Sequence, residues 1–131
     1  MTTENQKTIL LVDDDDDFLL QTRAILESAG FRVISAEGLR ASEPLVAAGG
    51  FDLVVADLMM EHPDAGFVLC HRVKRKDPKI PVILCSAVSA ETGMAFSAKT
   101  AEERAWLGAD AVLTKPVRPE QLRREVDKLL G

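Results

Sequence analysis

Five short segments rich in aliphatic residues recur along the chain, and they predict strands. The predicted strands cover residues 8–12, 31–36, 52–58, 81–85 and 111–114. In the first of them, four consecutive apolar residues are followed at once by five aspartates. Apolar runs of this length are too short for a stable helix and are typical of strands buried on both faces of a parallel sheet.

Between the strands, apolar positions follow helical spacing. Asp15 or Asp16 is placed to cap a first helix that ends at Gly30. Further helices are predicted over residues 39–48, 66–76 and 100–107, and from Pro119 to the end of the chain. Pro44 is expected to delay or kink the start of the second helix. Residues 88–99 have no firm period, so the region of the fourth helix is expected to be atypical.

Strands that alternate with helices predict a parallel sheet with helices on both faces. We expect an α/β, flavodoxin-like fold of three αβα layers, with a five-stranded sheet in the order 2-1-3-4-5. A chain of 131 residues is long enough for one domain, and we expect its core to extend over about residues 7–130.

Composition and charge exclude several functions. A formal net charge of -5 argues against non-specific binding to nucleic acid. The apolar segments are strand-sized and the first residues are polar, so we expect a cytoplasmic protein with no membrane span and no export signal. Cys70 and Cys85 lack metal-ligand spacing and are expected to be buried thiols.

Polar side chains of complementary chemistry stand at the ends of four predicted strands. Asp13 and Asp14 follow the first strand, and Asp57 lies at the end of the third. Ser86 follows the fourth strand and Lys115 the fifth. The switch point of the expected topology lies between strands one and three, so these side chains should meet in one crevice.

Three carboxylates in one crevice repel one another, since two unit charges 4 Å apart interact by about 4 kcal/mol at an effective dielectric of 20. Keeping one of them protonated at neutral pH would cost roughly 4 kcal/mol. A hard divalent cation compensates better, because Mg²⁺ takes one or two carboxylates together with waters and a phosphate oxygen. With the Lys115 ammonium and the Ser86 hydroxyl nearby, Asp57 is equipped to attack phosphorus and form an aspartyl phosphate.

These residues resemble the receiver domain of bacterial two-component response regulators, over about residues 7–130. The resemblance rests on Asp13-Asp14 after an aliphatic strand, Asp57-Leu58-Met59-Met60, Ser86-Ala87 and Leu113-Thr114-Lys115-Pro116. It implies a phosphorelay component rather than an enzyme, with Asp57 phosphorylated by a sensor histidine kinase or a phosphotransfer protein. The implied recipient of the signal is an output protein, or a fused domain outside this chain. A homodimer through the final helices is an open alternative.

The resemblance also implies roles for the individual site residues. The Mg²⁺ ligands would be Asp13 through a bound water, Asp14, Asp57 and the backbone carbonyl of Met59. Ser86 and Lys115 would contact the phosphoryl group and couple it to a surface formed by the fourth helix, the fifth strand and the last helix. The Lys115–Pro116 peptide bond would be cis.

The sequence departs from the receiver pattern in three places. The aromatic residue usual three positions before the lysine is replaced by Val112, so the usual aromatic switch is missing. The proline usual four positions after the phosphoacceptor is replaced by Glu61. The interval from Ser86 to Lys115 is longer than in typical receivers, and the extra length lies in residues 88–99.

Two other classes of function stay open. A phosphatase of the haloacid-dehalogenase class would use Asp13 as its nucleophile with Asp15 two positions later, but the acidic pair expected after Lys115 is absent from the sequence. A phosphorylation-independent binding module would use the region around Gly93 and Trp106 as its contact surface.

Overall fold

A computed structural model describes residues 6–61, 64–87 and 108–131. The strands are β1 (Thr8–Asp13), β2 (Arg32–Glu37), β3 (Leu53–Asp57), β4 (Val82–Ala87) and β5 (Ala111–Lys115). The helices within these ranges are α1 (Asp16–Ser28), α2 (Leu39–Ala48), α3 (Ala65–Lys76) and α4 (Pro119–Leu130). The fourth helix predicted from the sequence, over residues 100–107, lies outside the described residues, as do the segment 88–99 and Trp106. The label α4 therefore denotes the last helix of the chain.

The five strands form one parallel sheet in the order β2-β1-β3-β4-β5. This confirms the predicted flavodoxin-like order. The register pairs Val12 with Ala56, Asp57 with Cys85, and Ser86 with Thr114. The carboxyl ends of β1, β3, β4 and β5 are therefore aligned at one edge of the sheet.

The central strands are apolar at nearly every position because each contributes side chains to two hydrophobic cores, one on each face of the sheet. On one face of the sheet, Leu10 and Val12 pack in a cluster that includes residues of α2 and α3. On the other face, Ile9 and Leu11 pack in a cluster that includes residues of α1 and α4. Successive side chains of a strand point to opposite faces, so a strand between two helical layers needs apolar residues at every position.

The five consecutive aspartates, residues 13–17, belong to different elements: Asp13 ends β1, and α1 begins at Asp16. Asp15 is the N-cap, and its carboxylate accepts hydrogen bonds from the backbone N–H groups of Asp17, at 3.0 Å, and Phe18, at 3.4 Å. This confirms the predicted cap. Asp16 and Asp17 lie in the first turn, where negative charge favours the helix dipole.

The expected delay of the second helix at Pro44 is wrong, because α2 begins at Leu39 with Pro44 inside it. A proline at this position removes the hydrogen bond to the carbonyl of Arg40, and its ring crowds that carbonyl. The backbone N–H groups of Leu39 and Arg40 both donate to the side chain of Glu61. This contact supports the first turn and lets the helix begin before the proline.

Cys70 and Cys85 are buried free thiols, as expected. Burial raises the pKa of Cys70 to about 11 and that of Cys85 to about 12, so both are protonated at neutral pH. None of the described helices has the length and apolar character needed to cross a membrane.

Gly66 lies in the first turn of α3, close to the backbone at the end of β3. Its backbone N–H donates to the carbonyl of Leu58 at 2.8 Å, and a Cβ at this position would lie 2.6 Å from the Leu58 Cα. The atoms that it would meet belong to the backbone and cannot rotate away. We expect Gly66→Ala to lower the free energy of unfolding in urea by about 1–3 kcal/mol, as overpacking does.

A suitable control is Arg75→Ala, which changes an exposed residue of the same helix. It should alter the free energy of unfolding by about 0.5 kcal/mol or less. Equal stability of the Gly66→Ala protein and the wild type would show that α3 can move away from β3 without cost.

Candidate functional site

Asp13 ends β1 and its side chain is completely buried. One carboxylate oxygen accepts a hydrogen bond from the backbone N–H of Asp15 at 2.9 Å. The other accepts from Lys115 Nζ, also at 2.9 Å. Both oxygens of this buried carboxylate are thus hydrogen-bonded, as a buried charge requires.

Lys115 lies between two carboxylates that come from different strands. Besides Asp13, its Nζ is 3.3 Å from Oδ2 of Asp57, the last residue of β3. The same ammonium lies 4.3 Å from the centre of the Phe18 ring, within cation–π distance. Three side chains on three elements therefore fix the position of one positive charge.

The carboxylates of Asp13, Asp14 and Asp57 offer oxygen atoms that all lie within 4.8 Å of one another. Asp13 and Asp57 are buried, whereas Asp14 is exposed. Several carboxylate oxygens open to water on one side form the donor set that hard divalent cations prefer. The chemistry of the cluster thus fits a metal ion.

Burial raises the pKa values of both Asp13 and Asp57 above the usual aspartate value. For Asp57, the negative charge of Asp13 adds to the increase, and Lys115 offsets only part of it. Burial acts to lower the pKa of Lys115, but the hydrogen bond and the charge of Asp13 outweigh it and raise that pKa. One ammonium therefore does not balance two buried carboxylates, and the site retains an attraction for a cation.

Ser86 is buried near the end of β4, one position beyond the residue that pairs with Asp57. It lies in the strand, which extends to Ala87, rather than just after it as predicted. Met59 follows β3 with an exposed side chain, and its backbone forms a hydrogen bond to the Asp57 carboxylate. The Lys115–Pro116 peptide bond is cis, as the resemblance implies.

Two residues at the site were not identified from the sequence. Phe18 occupies an apolar position of α1, which marks it only as a core residue, yet its ring lies against the Lys115 ammonium. Glu61 stands in the sequence only as a departure from the receiver pattern, yet its carboxylate accepts hydrogen bonds from the first turn of α2. The one local sign of the second contact is Gly38, which precedes α2 and has no side chain with which to cap it.

The family model of the response regulator receiver domain matches residues 9–127. The chain is 34% identical over 128 residues to the alginate biosynthesis transcriptional regulatory protein AlgB of Pseudomonas syringae pv. tomato. It is 32% identical over 129 residues to the transcriptional regulatory protein ZraR of Escherichia coli (strain K12). Each alignment covers 98% of this chain but only 27% of the relative, so the chain spans a minor part of the length of these proteins.

Solved structures give the same result. A response regulator receiver domain protein (CheY-like) from Methanospirillum hungatei JF-1 superimposes with a TM-score of 0.78 at 29% identity, covering 96% of this chain and 94% of that one. A receiver protein from Sinorhizobium medicae WSM419 has a TM-score of 0.78 at 28% identity, covering 97% and 96%. Since the family match extends over most of the chain and the strand order agrees with it, this chain belongs to the response regulator receiver domains of two-component signalling.

Proposed function

We propose that Asp57 accepts a phosphoryl group from a histidine kinase or a phosphotransfer protein in an Mg²⁺-dependent reaction. The observation that carries this proposal is the Lys115 ammonium, held 2.9 Å from Asp13 and 3.3 Å from Asp57 beside the exposed carboxylate of Asp14. We further propose that residues 1–131 act as one receiver domain in the cytoplasm, without enzymatic activity toward a free substrate.

In the proposed reaction, an oxygen of Asp57 forms a bond to phosphorus as the bond from phosphorus to the histidine nitrogen breaks. Lys115 neutralises negative charge on the oxygens of the phosphoryl group during its transfer. The Ser86 hydroxyl donates a hydrogen bond to the phosphoryl group once it is on Asp57. The residues that would hold Mg²⁺ are Asp14, Asp57, the backbone carbonyl of Met59 and, through a water, Asp13. The bound ion would supply positive charge to the phosphoryl oxygens.

The output of the domain would use the surface next to Lys115. In the described part of that surface, Pro116, Arg118, Gln121 and Arg124 line a groove along the start of α4. Phosphorylation would draw Lys115 toward the phosphoryl oxygens and so act on β5, which precedes this groove. We propose that the partner is an output protein or a fused domain outside this chain, and that nucleic acid is not bound by this domain.

The geometry disfavours the phosphatase alternative. That mechanism needs Asp13 as the nucleophile, but its side chain is completely buried and both of its oxygens accept hydrogen bonds. The side chain of Asp57 retains 12% exposure. Of the two, Asp57 is therefore the carboxylate that an incoming phosphorus atom can reach.

Incubation with Mg²⁺ and acetyl phosphate should give a base-labile phosphoryl adduct on Asp57, detectable by mass spectrometry. Asp57→Asn should give none, and Asp14→Ala should slow its formation by about 100-fold or more, because positive charge at the phosphoryl oxygens is lost. Asp16→Ala, in the first turn of α1, is the matched control and should react at the wild-type rate. Unchanged phosphorylation of Asp14→Ala would contradict the assignment of the metal site.

The raised pKa of Asp57 makes a second prediction, on stability without metal. Because its pKa is raised, Asp57 keeps its proton to a higher pH in the folded protein than in the unfolded chain. At neutral pH, ionised Asp57 should therefore lower the free energy of unfolding. This loss should diminish as the pH falls through the folded-state pKa of Asp57. In EDTA, Asp57→Asn should therefore raise the free energy of unfolding at neutral pH. The gain should disappear below the usual aspartate pKa of about 3.9.

Asp17→Asn is the control for this measurement, because Asp17 is exposed in the first turn of α1. It should give no gain, since it weakens a favourable interaction with the helix dipole. A loss of stability in Asp57→Asn would mean that the ion pair with Lys115 outweighs burial.

The exposed Met59 side chain, two positions after Asp57, has no group that could orient an attacking water. We therefore expect the phosphorylated protein to lose phosphate slowly. Met59→Asn should shorten the lifetime of the adduct severalfold, because an amide can hold the water in line. Met59→Leu should leave it unchanged, and equal lifetimes for the two variants would show that water is oriented elsewhere.

A further inference from the structure

We infer that Glu61 is a positioning residue for the metal site, because its carboxylate fastens the segment after Asp57 to the first turn of α2. The inference rests on the proposed Mg²⁺ site, since the segment that is fastened carries the Met59 carbonyl. The residues concerned belong to two parts of the chain that are not neighbours in sequence.

The contact is a helix cap supplied from a distance. The backbone N–H of Leu39 donates to Glu61 Oε1 at 2.7 Å, and that of Arg40 donates to Oε2 at 2.8 Å. Hydrogen bonds to an ionised carboxylate are stronger than neutral ones, and a helix N-terminus favours negative charge. The capping position itself is Gly38, which forms no side-chain cap. Glu61 thus takes the place of a local capping residue.

Gly38 makes room for this carboxylate. Its φ is +97°, which side chains rarely allow, and a Cβ there would lie 2.7 Å from Glu61 Oε1. Any other residue at position 38 would have to displace the Glu61 side chain. The two positions are therefore matched, one on each side of the contact.

The other end of the segment is fixed by the sheet and by α3. The backbone N–H of Leu58 donates to the carbonyl of Cys85, and its carbonyl accepts from Gly66, both at 2.8 Å. Met59 bonds to the Asp57 carboxylate through its backbone. Met60 packs against the core cluster that contains Leu39. The backbone at Met59 is thus held between the anchor at Leu58 and the anchor at Glu61.

Where a proline would restrict φ through its ring, this chain restricts the segment through a side-chain contact with another element. A contact of this kind couples the binding of Mg²⁺ to the formation of the hydrogen bonds between Glu61 and α2. If Glu61 holds the Met59 carbonyl in place for Mg²⁺, then bound Mg²⁺ must in turn stabilise the hydrogen bonds between Glu61 and α2. This follows because coupling between two binding events is reciprocal.

The first measurement is Mg²⁺ affinity by isothermal titration calorimetry, without a phosphodonor. Glu61→Ala should weaken binding by about 10-fold or more, the usual effect of losing a group that orients metal ligands. Glu61→Gln keeps one carbonyl oxygen as an acceptor and should fall between Glu61→Ala and the wild type. Gly38→Ala should also weaken binding, although Gly38 has no place in the metal site.

Gly50→Ala is the matched control. Gly50 also has a positive φ, of +88°, but a Cβ there would meet nothing within 4 Å. The substitution therefore strains the backbone just after α2 without touching Glu61. It should reduce folding stability and leave the affinity for Mg²⁺ at the wild-type value.

The second measurement is amide hydrogen exchange by NMR, which does not depend on activity. Without Mg²⁺, the amides of Leu39 and Arg40 should exchange faster in Glu61→Ala than in the wild type. With Mg²⁺ added, their exchange should slow in the wild type and stay unchanged in Glu61→Ala. A cap that only stabilises α2 would change exchange in the metal-free protein but not the response to Mg²⁺.

The outcomes are distinct. Wild-type affinity for Mg²⁺ in both Glu61→Ala and Gly38→Ala would overturn the inference and leave Glu61 as a helix cap. Failure of the wild type to bind Mg²⁺ would overturn the proposed metal site instead. If Glu61→Ala does not fold, Glu61→Gln and Gly38→Ala decide the question through the same two measurements.

Discussion

Two buried carboxylates face one ammonium group at the edge of this sheet, and the rest of the site depends on that unbalanced charge. Lys115 bonds to Asp13 and lies near Asp57, yet burial still raises the pKa of both acids. Such an arrangement disfavours the ionised forms of both carboxylates. It also leaves the cluster with a need for positive charge, which a hard cation beside Asp14 would meet.

The fold brings this charge together by ending several strands at the same level. Asp13 ends β1, Asp57 ends β3 and Lys115 ends β5, in a parallel sheet with aligned carboxyl ends. Two apolar cores cover the faces of the sheet and keep the central strands dry. Burial of Asp13 strengthens its hydrogen bond to Lys115, because the effective dielectric is lower than in water.

The segment after β3 is fixed by contacts of three kinds. Leu58 bonds to β4, Gly66 allows α3 to approach the backbone of β3, and Glu61 binds the first turn of α2. Gly66 and Gly38 serve this segment for different reasons, one to avoid a clash with backbone and the other to admit a carboxylate. Phe18 likewise helps to fix the position of Lys115, because the face of its ring lies beside the Lys115 ammonium.

In the described residues, sequence patterns were enough to predict the strands, most helix limits and the sheet order, and they put five polar residues at or next to the ends of four strands. These follow from local periodicity and from the rule that parallel strands share an edge. Three features depend on how the chain packs: Lys115 bonds to Asp13, α2 begins before Pro44, and Glu61 caps α2. Those contacts join residues 102 and 22 positions apart, and local patterns cannot encode a partner at such separations because it is packing that brings the two together.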